Sequence, residues 1–559
     1  MVKKFFNVFY KEINGLHEAA YLLGLFAFLS QILALFRDRI LAGSFGATKI
    51  LDTYYASFGI PDFIFTTVAS MVSISVLVPF ITEKMERSEE ETRNFIKNIF
   101  SFFSVAIVGV SIVAFILMPY LAPKFFPGIL DKTSLINMSR IMLLSPILLG
   151  TSNFLASITQ VGKRFLVYAL SPLLYNFGII IGALFFYPVL GIYGLSLGVV
   201  LGALMHLGIQ IPFVSKSGLF KPLPLSFDWN SVKNVFFISV PRTITLGMTQ
   251  ITTLALVGMA SLVREGSISI YNFASNIQSV PLSIIGVSYS LAAFPTLSKY
   301  IAKNQNNEFI SCITTALRHI IFWSIPISVL FIVLRAQIVR VIYGAGNFGW
   351  NETRITAAAI AIFALSVAAQ SMVLIFVRGY YAKGNTKKAL LAGVTTGVLA
   401  ISFSLIFLKV FESWNFFRYF IEHLYRVDDL AGTKILMLAL GFSIAQIINC
   451  LILWVMFERE YKDFSKPLFR VLFQSFSASV IMGFTAYLGL NVFVNIFNIN
   501  TLIGIFMQGF LSGIIGIITF ILVLKLLKSP ELEEAGNTIH KKFWKVRPIV
   551  PDTNADDLL

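Results

Sequence analysis

The chain has 559 residues, of which 57% are hydrophobic and only 13% charged. Soluble domains carry about 25% charged residues, so this composition excludes a soluble globular protein and indicates a polytopic membrane protein. The formal net charge of +16 fits basic loops that orient such a protein against an anionic leaflet, and nucleic-acid binding is not expected.

Apolar runs of about 18–25 residues recur along the whole chain, each long enough for one membrane-spanning helix. They predict an all-α protein with about fourteen spans, at 17–42, 51–82, 97–122, 135–161, 165–187, 192–214, 235–262, 268–297, 310–334, 354–382, 388–410, 433–457, 468–495 and 500–527. The opening MVKKFFNVFYKEINGLHEAAYLLGLF has the basic flank of a signal peptide. It runs into a full-length span without a small-residue cleavage site, which predicts a retained first helix. Spans 51–82 and 268–297 exceed the usual length and are expected to tilt, bend or project from the membrane.

The first span closes on Arg37, Asp38 and Arg39, and the second opens at Asp52 and is interrupted by Pro61-Asp62. A charge near mid-bilayer costs roughly 2.5–3.5 kcal/mol, so these groups either line a polar pathway or snorkel to the interface. Proline also interrupts the seventh and eighth spans, at Pro241 and Pro281. Interrupted helices at corresponding places in two halves suggest a transporter built from repeats, although proline is common in membrane helices generally.

Other polar residues within or beside the spans are Gln31, Asn153, Gln160, Asn176, Arg242, Gln250, Asn272, Asn276, Gln278 and Arg378. Most such amides simply bond a neighbouring helix, at about 0.6 kcal/mol each. Arg242 follows Pro241 about six residues into the seventh span. There it is within reach of a cytoplasm-facing cavity or of the interface.

Lys and Arg concentrate in the N-terminal segment, the even-numbered loops and the C-terminal tail, which predicts that both termini are cytoplasmic. One odd-numbered loop, 411–432, carries Arg418, Arg426 and several acids, and its length predicts a small external element. The five histidines are scattered without metal-ligand spacing, and Cys312 and Cys450 suggest neither a disulfide framework nor a metal site. No phosphate-binding loop ending in GK[ST] is present. These features predict a transporter rather than an enzyme, without cofactor or metal.

Several collinear motifs then resemble the MurJ/MviN lipid II flippases of the multidrug/oligosaccharidyl-lipid/polysaccharide exporter superfamily. The first two spans match that family through Ser30, Leu33, Arg37-Asp38, Ala42, Phe45-Gly46, Asp52, Ile60-Pro61 and Val78-Pro79. Arg164-Phe165, Pro172 and Asn176 match its fourth-to-fifth segment. Gln250, Gly266-Ser267-Ile268-Ser269, Pro281 and Pro295-Thr296-Leu297-Ser298 match its seventh and eighth helices. Gly346-Asn347-Phe348 and Arg378-Gly379-Tyr380-Tyr381-Ala382 match its ninth-to-tenth loop and tenth helix.

The resemblance implies two pseudo-symmetric six-helix lobes, 1–220 and 221–465, around a central cavity. Residues 466–528 would add two helices forming a lipid-tail groove, and 529–559 a cytoplasmic tail. It implies movement of undecaprenyl-diphosphate-linked peptidoglycan precursor, lipid II, from the inner to the outer leaflet of the bacterial cytoplasmic membrane by alternating access. Arg37 is the expected diphosphate contact, because a guanidinium stays charged and offers paired donors to phosphate oxygens. Asp38 and Asp52 are expected to orient or gate it, Gln31, Asn272 and Asn276 to bond the headgroup, and Arg242 to add a cation. The expected partners are this glycolipid, membrane lipids, and proteins of cell-wall synthesis or division.

The chain also departs from the family. Gln31, Phe65 and Asn276 stand where the family carries further cavity arginines, and Ser70 where it favours an acid. Leu256 and Ser404 occupy positions tied to sodium binding in some members. Two alternatives therefore accompany lipid II transport: a flippase for another polyprenyl-diphosphate-linked glycan, O-antigen-like, and a non-transporting membrane scaffold of cell-wall synthesis.

Overall fold

The computed structural model describes residues 16–72, 74–218, 228–462 and 464–536, which form helices and, among the described residues, no strand. Lipid offers no hydrogen bonds to an open backbone, so an apolar chain of this kind satisfies its amides within helices. Helix α1 is Leu16–Phe45. The second predicted span is built in pieces: α2 (Lys49–Ser57), α3 (Gly59–Ala69), a 3₁₀ turn at Ser70–Val72, and α4 (Ile74–Arg87). The first break falls at Phe58, where the ring of Pro61 would crowd the carbonyl of Ser57, four residues back.

Next come α5 (Glu89–Phe125), α6 (Lys132–Met142), α7 (Leu144–Val161) and α8 (Phe165–Ile181), followed by a π-helical turn at Gly182–Phe186 and α9 (Tyr187–Leu190). Helices α10 (Ile192–Gly208) and α11 (Ile211–Lys216) complete the first half. The second half opens with α12 (Trp229–Ser261) and α13 (Ser267–Pro281), a π-helical turn at Leu282–Val287, and α14 (Ser288–Ala302). It continues through α15 (Asn306–Val333), α16 (Arg335–Tyr343), α17 (Trp350–Ala364), α18 (Val367–Ala382) and α19 (Thr386–Ser413). Helices α20 (Asn415–Tyr425), α21 (Leu436–Glu460), α22 (Lys466–Phe493) and α23 (Leu502–Leu526) follow.

Among the described residues, twelve helices are long and apolar enough to cross a membrane. A thirteenth is added when α17 and α18, bent by 43°, are taken together. All fourteen predicted spans coincide with these helices or with α1, and α20 lies in the loop where a small external element was expected. The expected interruption at Pro241 does not occur, since α12 runs through it unbroken. Pro281 instead ends α13 at a π-helical turn, where its missing N–H removes one rung of the helical ladder.

Glycines set the closest helix contacts. A Cβ on Gly178 would lie 2.3 Å from the Cα of Gly202, and one on Gly182 would lie 2.4 Å from that of Gly198. Small residues four apart, on α10 and on α8 with the π-helical turn that continues it, thus let two backbones touch, the usual source of affinity between helices in lipid. The buried apolar side chains form two groups. One runs from Leu41 to Ala439 and joins both halves, whereas the other, from Ile285 to Leu524, lies within the second half. The outer surface is apolar too: Phe469, Phe473, Phe476, Val480 and Phe484 form an exposed stripe along α22.

A polar cavity between the two halves

Arg37, on α1, is the hub of a polar relay. Its Nε and Nη2 donate to Asp38 Oδ1 at 2.8 and 2.6 Å, and its Nη1 donates to Asn176 Oδ1 on α8 at 2.8 Å. The other oxygen of Asp38 accepts from Asn276 Nδ2 on α13 at 2.9 Å. The relay therefore reaches from the first half of the chain into the second. Asp38 is sealed, with 2% of its side chain exposed, whereas Arg37 keeps 19%. That exposure faces a cavity of about 360 Å³, to which Asn272, Asn276, Gln250, Asp62 and Phe65 also contribute. The inward reading of Arg37 thus describes its geometry better than the snorkel.

Arg39 points elsewhere, donating to the carbonyls of Val341 and Ile342 at 2.5 and 3.1 Å near the end of α16. Asp52 also stands apart from the relay. Its Oδ2 accepts from the Gly266 amide at 2.7 Å, and its Oδ1 accepts from the Ser269 amide at 2.8 Å and the Ser269 hydroxyl at 2.6 Å. Gly266, at φ +87°, is the N-cap residue of α13 and offers no side chain. Asp52 supplies the missing cap from the other half of the chain, placing its charge where the helix dipole favours it.

Neighbouring contacts close the same face. The Lys49 amide donates to Glu265 at 3.1 Å and the Gly128 amide to Ser261 Oγ at 3.2 Å. The Asn347 amide donates to the Gly43 carbonyl at 2.9 Å, and its side chain to the Ser44 carbonyl at 2.7 Å. Asp429, in the loop after α20, accepts both Nη groups of Arg354 at 2.5 and 2.7 Å, which holds its carboxyl below the usual carboxylate range.

The remaining expected site residues divide. Asn272 lines the cavity while donating to the Ile268 carbonyl at 2.9 Å. Gln31 is half-buried six residues before Arg37 and is not part of the cavity wall. Arg242 falls within α12, and its side chain lies outside the described residues. The cavity also contains groups that the sequence reading did not select as site residues: Tyr54, Tyr55, Tyr175 and the carboxylate of Asp62. A spacing of three, four and three through Tyr55, Phe58, Asp62 and Phe65 was the available signal, because it marks one helix face.

Comparison with known proteins agrees with this architecture. A protein from Rickettsia prowazekii described as a probable lipid II flippase MurJ is 28% identical over 380 residues, covering 67% of this chain and 75% of that protein. A Thermotoga maritima protein of the same description is 25% identical over 517 residues, covering 91% and 96%. The solved structure of a lipid II flippase MurJ in an inward closed conformation superposes with a TM-score of 0.73 at 24% identity, covering 91% of this chain and 98% of that one. An inward-facing multidrug-resistance MATE transporter of the MOP superfamily shares the fold more distantly, with a TM-score of 0.63 at 12% identity over 78% and 96%. The family model for lipid II flippase MurJ matches residues 41–507, and the chain belongs to that family.

Proposed function

We propose that this protein moves an undecaprenyl-diphosphate-linked glycan, lipid II in the first instance, from the inner to the outer leaflet of a bacterial cytoplasmic membrane. The observation that carries this reading is Arg37 in the cavity between the halves. A diphosphate-sugar headgroup cannot cross hydrocarbon unaided, and a buried cation with free donors replaces part of its hydration. A guanidinium has five N–H groups. Asp38 and Asn176 engage three of them, leaving one on each Nη for phosphate oxygens.

In this reading residues 1–220 and 221–465 are two six-helix lobes, and α1 brings the number of spans to fourteen. Both termini are cytoplasmic, so the face latched by Asp52 is the external one. Rocking of the lobes breaks that latch and exposes the cavity outward. Helices α22 and α23 then guide the lipid tail along their exposed phenylalanines.

A second reading keeps the transport and changes the cargo to another polyprenyl-diphosphate glycan. It is favoured by Gln31, Phe65 and Asn276, which stand where the family carries further arginines. Rescue of a strain depleted of its own lipid II flippase, together with native mass spectrometry of the purified protein, separates the readings. Rescue with co-purified lipid II supports the first, and a different polyprenyl-diphosphate glycan without rescue supports the second. Absence of both rescue and bound lipid would leave a scaffold and refute transport.

A further inference from the structure

Asp62 sits in the wall of the same cavity as Arg37. Arg37 is already ion-paired with Asp38, and no cation or hydrogen-bond donor pairs with the Asp62 side chain among the described residues. An unpaired carboxylate inside a membrane protein is costly, and such groups are retained where a cation or a proton passes. What surrounds Asp62 narrows the choice. Tyr54, Tyr55, Phe58, Phe65 and Tyr175 contribute to the same wall. The rings of Tyr54 and Phe58 meet edge to face with centroids 5.1 Å apart, and those of Tyr54 and Tyr55 lie 5.4 Å apart.

Tyr55, Phe58, Asp62 and Phe65 recur at intervals of three or four residues, carried across the bend between α2 and α3, so the carboxylate lies within an aromatic stripe. The wall also carries the amides of Gln250, Asn272 and Asn276, but Asp62 is the single carboxylate among its described residues, and no cluster of three acidic, His or Cys side chains offers a hard cation the charged oxygen shell it takes. An ammonium group needs no such shell: ring faces attract it, as in the aromatic cages that hold quaternary ammonium ligands, and a carboxylate offsets the loss of its stronger hydration.

We propose that Asp62 and these aromatic rings form a subsite for an ammonium group on the cargo headgroup, opposite in charge to the phosphate contact at Arg37. This rests on the flippase reading, and it specifies a zwitterionic cargo with a diphosphate for Arg37 and an amine for Asp62. The loss of arginine at position 65 then has a purpose: a cation there would repel the amine, whereas Phe65 offers a ring to it.

The test uses the full-length protein with two probes, a polyprenyl-diphosphate disaccharide bearing a free amine on its headgroup and its N-acetylated counterpart. Binding in detergent and translocation in proteoliposomes are both measured. The wild type is expected to prefer the free amine by about tenfold. Asp62→Asn brings the ratio to about one, and Asp62→Glu, which keeps the charge, restores a preference. Equal binding of both probes by the wild type, or an undiminished ratio in Asp62→Asn, would overturn the subsite. Loss of proton-gradient dependence in Asp62→Asn without amine selectivity in the wild type would make Asp62 a proton carrier and overturn it as well. Amine-selective binding without translocation of either probe would support the subsite while refuting the flippase reading.

Discussion

Replacement of Asp52 by alanine tests the contact that bridges the two halves most heavily. The substitution removes three hydrogen bonds at 2.6–2.8 Å, to the Gly266 amide, the Ser269 amide and the Ser269 hydroxyl. Hydrogen bonds to a charged group contribute about 1.5–3 kcal/mol each. Neighbouring terms do not add fully, because one donor side chain and one helix terminus are shared. A loss of about 3 kcal/mol is therefore a conservative figure, equivalent to a shift on the order of a hundredfold in the opening equilibrium of this face. Hydrogen–deuterium exchange read by mass spectrometry reports it directly. The Gly266 and Ser269 amides should exchange on the order of a hundredfold faster in Asp52→Ala. The Ile270 amide, held by the Gly266 carbonyl at 3.0 Å within α13 itself, should change far less. Unchanged exchange at Gly266 and Ser269 would show that Asp52 does not hold this face closed.

Three further outcomes follow from local geometry. Gly198→Val places side-chain atoms against the Gly182 backbone, 2.5 Å from its Cα at the Cβ alone. Such overpacking costs about 1–3 kcal/mol, read as a lower thermal midpoint in detergent. Glu422, buried in α20, accepts from Thr433 Oγ1 at 2.6 Å and from Arg418 Nε at 3.2 Å, so Glu422→Ala should raise amide exchange across 415–435 without changing that of α22. Asp131 caps α6 through the Ser134 amide at 3.0 Å, and hydrogen bonding from the Ser134 hydroxyl, together with that amide, holds its carboxyl below the usual range. The depressed pKa means that this cap is intact above about pH 4 and is lost as the pH falls below it. Asp131→Ala should lower stability by about 1 kcal/mol at neutral pH and remove that acid-dependent component.

Much of this architecture was legible because hydropathy is a strong signal in lipid. Apolar length places each span, and the structure shifts most boundaries by only a few residues. Breaks were harder. Pro61 and Pro241 look alike in sequence, yet only the former coincides with a discontinuity, because a proline's effect depends on whether neighbouring helices satisfy the freed carbonyl. The small-residue spacing of Gly178 and Gly182 against Gly194, Gly198 and Gly202 was visible too, but which helices touch is a tertiary fact.

At the site, charge in a span pointed correctly to Arg37 and Asp38 as inward-facing. It could not distinguish them from Asp52, which serves a helix terminus 214 residues away. The tyrosines of the cavity wall were hidden because aromatic residues are ordinary in membrane helices, and only the enclosure they share with Asp62 distinguishes them.

In the proposed function, Arg37 carries a diphosphate headgroup through the cavity between the halves. The most direct measurement is translocation of a fluorescent polyprenyl-diphosphate glycan in proteoliposomes, comparing the wild type with Arg37→Ala and Arg37→Lys. Removing a charge-assisted phosphate contact should slow transport at least about tenfold in Arg37→Ala, and lysine, a point charge without the paired donors, should restore only part of it. Translocation by Arg37→Ala at the wild-type rate would show that Arg37 does not carry the headgroup.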